Sequence, residues 1–301
     1  MSLAFHGLPT QTLENEHLRV DYCSQAGPRL VRLLLPGHPE NLLAELPHHR
    51  HPTPYGEYRI LGGHRLWQAP EDILRTYIPD NDGLTVEQTP QSARLTGPVE
   101  PLTDLQKSIE IRLHPDRPAL TLVHALTNRG AQPVECSPWS ITQHPLGGQL
   151  ILPQPVGPLA PGSLLPNRQI VLWPYTRWED TRLQMADDVV LLHARPDLPP
   201  CKLGYTNRAG WLAYLLQDVL FVKRFDPQPD LPHPDFGCNV ETFCDNAFIE
   251  SEIVAPLARL EPGQAATHTE TWEFYTGLDV PLNLQGARQL VSSLNLASQQ
   301  P

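Results

Sequence analysis

The chain has 301 residues, enough to bury a core without disulfide or metal staples, and its 40% apolar content excludes a disordered segment. A formal net charge of −11, with scattered Lys and Arg, speaks against nucleic acid or an anionic membrane as partner. Proline is the outlier, at 34 residues against a usual share of about 5%, and it must punctuate many short strands because it breaks helices and central strands.

Leu18 to Cys23 alternates as a strand, Ala26-Gly27-Pro28 turns it, and Arg29 to Leu35 returns as the second arm of a hairpin. Residues 36–56 are rich in Pro and His and read as loop. A strand is expected from Tyr58 to Trp67 around Gly62-Gly63. Further strands are expected at 84–88, 92–96, 106–113, 119–128, 133–143, 149–152 and 169–173. The second half adds 188–194, 202–206, 210–216, 219–225, 238–243, 247–254 and 266–275. Short strands with turn signals between them describe an all-β antiparallel sandwich. A helix is predicted from Leu284 to Leu296, where Leu284, Ala287, Leu290, Val291 and Leu294 fall at helical spacing. Residues 297–301 read as a frayed tail. With no fixed-period repeat and no Ser/Gly linker, the expectation is one domain over 1–301, its core at about 12–276.

Cys23, Cys136, Cys201, Cys238 and Cys244 form no C-x-x-C pair, and free thiols in a reducing compartment are the simpler reading. The opening residues show no signal-peptide pattern and no run is long enough for a membrane span. Both point to a cytoplasmic protein without membrane contact.

Glu241 places a carboxylate inside an apolar, strand-like segment, where an unpaired charge is costly. Ionised oxygens accept several hydrogen bonds at once, so carboxylates on a β scaffold suit a hydroxyl-rich ligand such as a carbohydrate. The alternative is a structural carboxylate. The run Gly62-Gly-His-Arg-Leu-Trp-Gln-Ala-Pro-Glu71 joins glycines that admit close backbone approach, the donors of His64 and Arg65, and the stacking face of Trp67. Its plain alternative is a bulged strand with Trp67 in the core. Trp173-Pro-Tyr-Thr-Arg-Trp178 reads either as an aromatic rim over a sugar or as packing. Glu250 and Glu252 share one strand face, either solvated or with one paired to Arg65. Lys202, Lys223 and Arg224 are candidates for a phosphate, though scattered bases on strands usually hold none. The histidines from His48 to His51 follow no zinc spacing, so no metal and no cofactor is expected.

Three segments, in order, resemble the galactose mutarotase-like (aldose 1-epimerase) superfamily. They are Gly27-Pro-Arg-Leu-Val-Arg-Leu33 with Glu40-Asn-Leu-Leu43, Pro138-Trp-Ser-Ile-Thr-Gln-His144, and Val240-Glu-Thr-Phe243 followed by Leu260-Glu-Pro-Gly263. Gly62 to Glu71 looks most like the signature of an uncharacterised DUF4380-type branch. The resemblance implies a β-supersandwich with a sugar cleft on one concave face, Glu241 as general base and His144 as general acid. His64 and Arg65 would clamp hydroxyls or an oxyanion, with Trp67, Glu71, Asn239 and Trp178 as further substrate contacts. Two departures stand out: Pro145-Leu-Gly-Gly follows the histidine where mutarotases continue with an aromatic run, and the family's second histidine has no clean match. The expected function is a carbohydrate-binding, aldose 1-epimerase-like enzyme acting by acid–base chemistry on a monosaccharide or sugar derivative. The alternative is a non-catalytic sugar-binding or sensing protein on the same fold.

Overall fold

A computed structural model describes residues 4–154 and 165–297. The proline-punctuated segments form two large antiparallel sheets and a separate two-stranded ribbon. In chain order the first strands are β1 (Ala4–Phe5), β2 (Leu8–Glu14), β3 (Arg19–Cys23), β4 (Arg29–Leu34), β5 (Glu45–Thr53), β6 (Gly56–Gly62) and β7 (His64–Ala69). They are followed by β8 (Thr85–Gln88), β9 (Ser92–Val99), β10 (Leu105–Leu113), β11 (Ala119–Asn128), β12 (Val134–His144) and β13 (Gln149–Pro153). Next come β14 (Val171–Leu172), β15 (Leu183–Met185), β16 (Val189–His193), β17 (Cys201–Tyr205), β18 (Trp211–Leu216) and β19 (Val219–Phe225). The short α1 (Pro234–Gly237) precedes β20 (Val240–Cys244), β21 (Ile249–Val254), β22 (Ala258–Leu260) and β23 (Ala265–Tyr275), and α2 (Leu284–Ser293) closes the described chain.

The first sheet runs β1-β2-β3-β4-β7-β12-β21-β20-β17-β14, with β22 on β12; the second runs β15-β16-β13-β18-β19-β23-β11-β10-β9-β8. Their facing sides share one core, in which Leu30, Leu66, Leu203, Val240 and Ile253 of the first sheet meet Leu122, Phe221 and Trp272 of the second. Burying this apolar area is the main stabilisation of the sandwich. Side chains alternate along each strand, so register decides what faces the core. Trp67 pairs with Trp139, Arg65 with Ile141, Gln143 with Glu250, and Glu241 with Glu252. These residues lie on the outer face of the first sheet, and their immediate neighbours point inward.

Residues 36–56 are not all loop as expected, because β5 starts at Glu45 and pairs with β6 in the two-stranded ribbon. Pro47 and Pro52 are tolerated there because such a ribbon leaves edges that need no amide donor. The strand expected from Tyr58 to Trp67 breaks between β6 and β7. Gly62 and Gly63 take φ of 86° and 74°, and a Cβ on either would sit 1.9 Å from a carbonyl oxygen, of Ala44 and Leu30 respectively. Glycine is required at both by left-handed backbone and by close approach. The terminal helix stops at Ser293 rather than Leu296; Asn283 caps it by accepting from the Gly286 amide. Ala287 and Leu290 seat it against Trp211, Leu220 and Val222 on the outer face of the second sheet. The expected frayed tail lies, from residue 298, outside the described residues. All five cysteines are buried and free. No described helix is long and apolar enough to cross a membrane.

Candidate functional site

The outer face of the first sheet carries a cleft with about 180 Å³ of free space. That is below the ~300–1,000 Å³ of sites for drug-sized ligands and suits one small ring. Its floor is Arg65 and Trp67 of β7, Trp139, Ile141 and Gln143 of β12, Glu250 of β21 and Lys202 of β17. Its walls are His51 and Ile60 of the ribbon, with Glu71, Tyr77, Tyr175, Phe243 and Phe248. Aromatic walls over a charged floor match the two aspects of a sugar, apolar ring faces and hydrogen-bonding edges.

The floor is a chain of charges. Lys202 Nζ lies 2.8 Å from Glu241 Oε2 and 3.1 Å from Glu252 Oε2. It also sits 4.5 Å from the Trp139 ring centre and 4.8 Å from that of Trp173, where ring faces attract an ammonium. Trp139 Nε1 donates to the same Glu252 oxygen at 2.8 Å. Next along the face, Arg65 Nη2 and Gln143 Nε2 both donate to Glu250 Oε1, at 3.1 and 2.8 Å, and the guanidinium rests 4.4 Å over Trp67. Several buried atoms of this group have no partner: Glu241 Oε1, Glu252 Oε1, Gln143 Oε1, and Nε and Nη1 of Arg65. Buried polar atoms are nearly always paired, so an unpaired set around one cleft marks where a ligand's groups belong.

Burial pushes the Glu241 carboxyl up to about 8; Lys202 pulls it down and Glu252 pushes it further up. Burial and Glu252 likewise raise Glu250 to about 7 against the pull of Arg65. For Lys202, burial lowers the affinity for a proton, but Glu252 and Glu241 outweigh it and hold the ammonium well above its ordinary value. Two carboxyls that titrate near neutrality in one cleft are equipped for acid–base work.

Arg65, Trp67 and Glu71 line the cleft, and Glu241 stands directly behind Lys202. His144 does not join them. It lies between the sheets, 2.9 Å from Ser251 Oγ through Nε2 and 3.3 Å from the Leu42 carbonyl through Nδ1, and stacks on Tyr214 at 4.6 Å. The Leu42 carbonyl can only accept, so Nδ1 carries the proton and Nε2 accepts from Ser251. Burial, with Lys223 nearby, lowers this imidazole to about 3, so it is neutral at pH 7 and its one ring proton is held by the Leu42 carbonyl. The expectation of His144 facing Glu241 is therefore corrected, and the reason is parity: Trp139, Ile141 and Gln143 face the cleft, so Ser140, Thr142 and His144 cannot. His64 is corrected for the same reason. It faces inward, 2.8 Å from Thr142 Oγ1 and 2.7 Å from His124 Nε2, while its neighbour Arg65 faces out. Asn239 is occupied by backbone, bonding the Asn207 amide and the Asn207 and Pro227 carbonyls. Trp178 is 82% exposed and outside the lining, whereas Tyr175 of the same segment is within it. Gln143, Tyr77, Phe243 and Phe248 were not anticipated. Extending the alternation of Arg65 and Trp67 to the paired strand would have found Gln143.

A second polar group lies between the sheets. His124, His268 and Glu270 bring potential ligand atoms within 4.8 Å of one another. Glu270 already accepts from Ser140, from Trp272 Nε1 at 2.7 Å and from Lys223 at 3.2 Å. The lysine supplies the balancing positive charge, and His268 Nε2 stands 3.4 Å from Glu270 Oε1 without a hydrogen bond. Of the His48 to His51 loop, His51 stacks on Tyr77 at 4.9 Å and belongs to the cleft wall.

No protein-family model matches the chain, and no curated protein matches it. Solved structures do. A putative aldose 1-epimerase from Klebsiella pneumoniae aligns over 97% of this chain and 84% of its own, at 12% identity and a TM-score of 0.59. A putative aldose 1-epimerase from Escherichia coli K12 aligns over 90% of this chain and 100% of its own, at 14% identity and a TM-score of 0.54. A TPR-domain-containing protein from Parabacteroides distasonis reaches a TM-score of 0.61 at 16% identity; 92% of this chain is covered, but it spans 50% of that protein's length. At such identities the likeness speaks for architecture, and this chain has a mutarotase-like β-sandwich fold.

Proposed function

We propose that the chain binds a monosaccharide or sugar derivative in the cleft between Arg65 and Lys202 and interconverts its anomers as an aldose 1-epimerase-like enzyme. The observation that carries this reading is the placing of two carboxyls, Glu250 lining the cleft and Glu241 directly behind its Lys202. Glu252 is the cross-strand partner of Glu241, so Glu250 is its diagonal neighbour, with Cα atoms about 7–8 Å apart. One group must take the proton of the anomeric hydroxyl while another gives a proton to the ring oxygen, which breaks the C1–O5 bond and leaves the open aldehyde. Glu241 is the base in the fraction of molecules in which it is ionised. Glu250, rather than the inward-facing His144, is the acid. Rotation about C1–C2 and the reverse transfers close the ring as the other anomer. Arg65 and Gln143 fix the Glu250 carboxyl through one oxygen and leave the other for the substrate. Trp67, Trp139 and Tyr175 supply ring faces.

A binding-only role has one observation in its favour: Lys202 stands between Glu241 and the cleft. Polarimetry on several aldoses together with calorimetric titration separates the two. Turnover that is lost in Glu241→Gln supports the enzyme, whereas binding without wild-type turnover supports the sensor. The Gly62–Glu71 run supports kinship with the DUF4380-type branch. Five buried free thiols fit a cytoplasmic setting.

A further inference from the structure

The cleft and the residues behind it carry more carboxyl groups than cations. Glu71 and Glu250 line it and Glu241 and Glu252 stand behind Lys202; among the described residues that line or back it, Arg65 and Lys202 are the cations facing these four carboxylates. Arg65 is committed to Glu250, so one ammonium serves both Glu241 and Glu252, each through Oε2. The other oxygen of each, Glu241 Oε1 and Glu252 Oε1, is buried and accepts nothing. A buried carboxyl oxygen without a donor is costly, and two of them behind the Lys202 end of the cleft call for a donor-rich cation. The same end is walled by Trp139 and Tyr175, and Trp139 already shows its affinity for an ammonium by its contact with Lys202.

We propose that the cleft's ligand is an amino sugar, a monosaccharide whose protonated amine enters the Glu241–Glu252 end beside Lys202. This rests on the sugar-binding reading of the same cleft and names its substrate class. An ammonium has three donors and no acceptor, the complement of two unpaired carboxylate oxygens. A phosphorylated sugar would instead bring acceptor oxygens against carboxyl oxygens that need donors. The amine also resolves a difficulty of the chemistry, because a base must be ionised and burial favours the protonated Glu241 carboxyl. Lys202 of β17, Glu252 of β21 and Asp235 of α1 act on Glu241, the last two opposing its ionisation. Glu250 is faced by Arg65 of β7, Gln143 of β12, Lys202 and Glu252. An incoming cation beside Glu241 tips it to the carboxylate and sends its proton to solvent, while Glu250, at the other end, keeps the acid.

The test is calorimetric titration with 2-amino-2-deoxyglucose, 2-amino-2-deoxygalactose and 6-amino-6-deoxyglucose, each beside its parent hexose and its N-acetylated form. Repeating it in buffers of different ionisation enthalpy counts the protons released. At least one amine should bind about tenfold or more tighter than its parent, as a charge-assisted bond implies, and release about one proton. N-acetylation should erase the advantage. In Glu252→Gln, checked by circular dichroism for folding, the amine-to-hydroxyl affinity ratio should drop toward one. If the parent hexoses bind as tightly as every amine, the amine inference is wrong while the sugar reading stands. If no sugar of the panel binds, the sugar reading itself is overturned. An amine preference that is unmoved in folded Glu252→Gln would also refute the assigned position.

Discussion

Arg65 Nη2 lies 3.1 Å from Glu250 Oε1 although 185 positions separate them in the chain. The strands β7 and β21 flank β12, and Gln143 of that central strand donates to the same oxygen. Three strands thus aim one carboxyl at the cleft. The two long side chains meet with little solvent, so the pair is stiffer than a surface salt bridge.

Removing that guanidinium should weaken sugar binding. Arg65→Ala takes away the unpartnered donors Nε and Nη1, and affinity should fall about tenfold or more, the scale of a lost charge-assisted bond. Glu250 should then titrate higher, because its stabilising cation is gone, and the basic limb of the rate profile should move up in pH. Titration calorimetry and a pH–rate profile read both effects. Unchanged affinity would deny Arg65 its contact with the ligand.

Glu241→Gln preserves shape and removes the proton acceptor. Anomer exchange measured by NMR should fall about 10²–10⁴-fold, the usual contribution of one acid–base group, while affinity for a neutral aldose changes little. Glu250→Gln should lower exchange on the same scale. Full activity in either variant would remove that residue from the mechanism.

His144→Asn should behave as a core substitution. It loses the stack on Tyr214 and the acceptor for the Ser251 hydroxyl. Stability should drop by about 1–3 kcal/mol in chemical unfolding. Turnover of the folded fraction should be kept. Loss of turnover without loss of stability would return His144 to the catalytic set.

Stability should fall at both ends of the pH range. Glu241 and Glu250, at about 8 and 7 in the folded state, lie above their ordinary 4.5, so folding binds protons through that window. The stability they contribute is present below 4.5 and is lost as pH rises through 7 and 8. His124 and His144, at about 4 and 3, lie below their ordinary 6.5. Their contribution is present above 6.5 and is lost as pH falls through 4 and 3. Urea unfolding across pH should show Glu241→Gln flattening the alkaline limb and His144→Asn flattening the acid one. Parallel limbs in wild type and Glu241→Gln would mean that Glu241 folds already ionised.

Treatment with EDTA should leave sugar binding intact. Lys223 already balances Glu270 in the His124–His268–Glu270 group, and the cleft contacts need no ion. Stoichiometric zinc in the purified protein, with binding lost on chelation, would contradict this.

The order of short strands, their turns and the terminal helix were legible in the sequence because alternation, proline and glycine act locally. Gly62 and Gly63 already marked the place where backbones meet. The candidates Arg65, Trp67, Glu71 and Glu241 were also readable, as charged and aromatic types set in strand patterns. Which residues share a face across strands was decided by register, which depends on pairing partners far away in the chain. A one-residue difference in parity turned His64 and His144 into the core and Gln143 into the cleft. Asn239 was claimed by the backbone of Asn207 and Pro227, and Trp178 was left in solvent; neither outcome has a local signal. Lys202, weighed as a phosphate contact, became the partner of Glu241 and Glu252 only when β17, β20 and β21 were laid side by side. The raised carboxyls follow from the same act of assembly, since burial and like charge are properties of neighbours in space and not of neighbours in sequence.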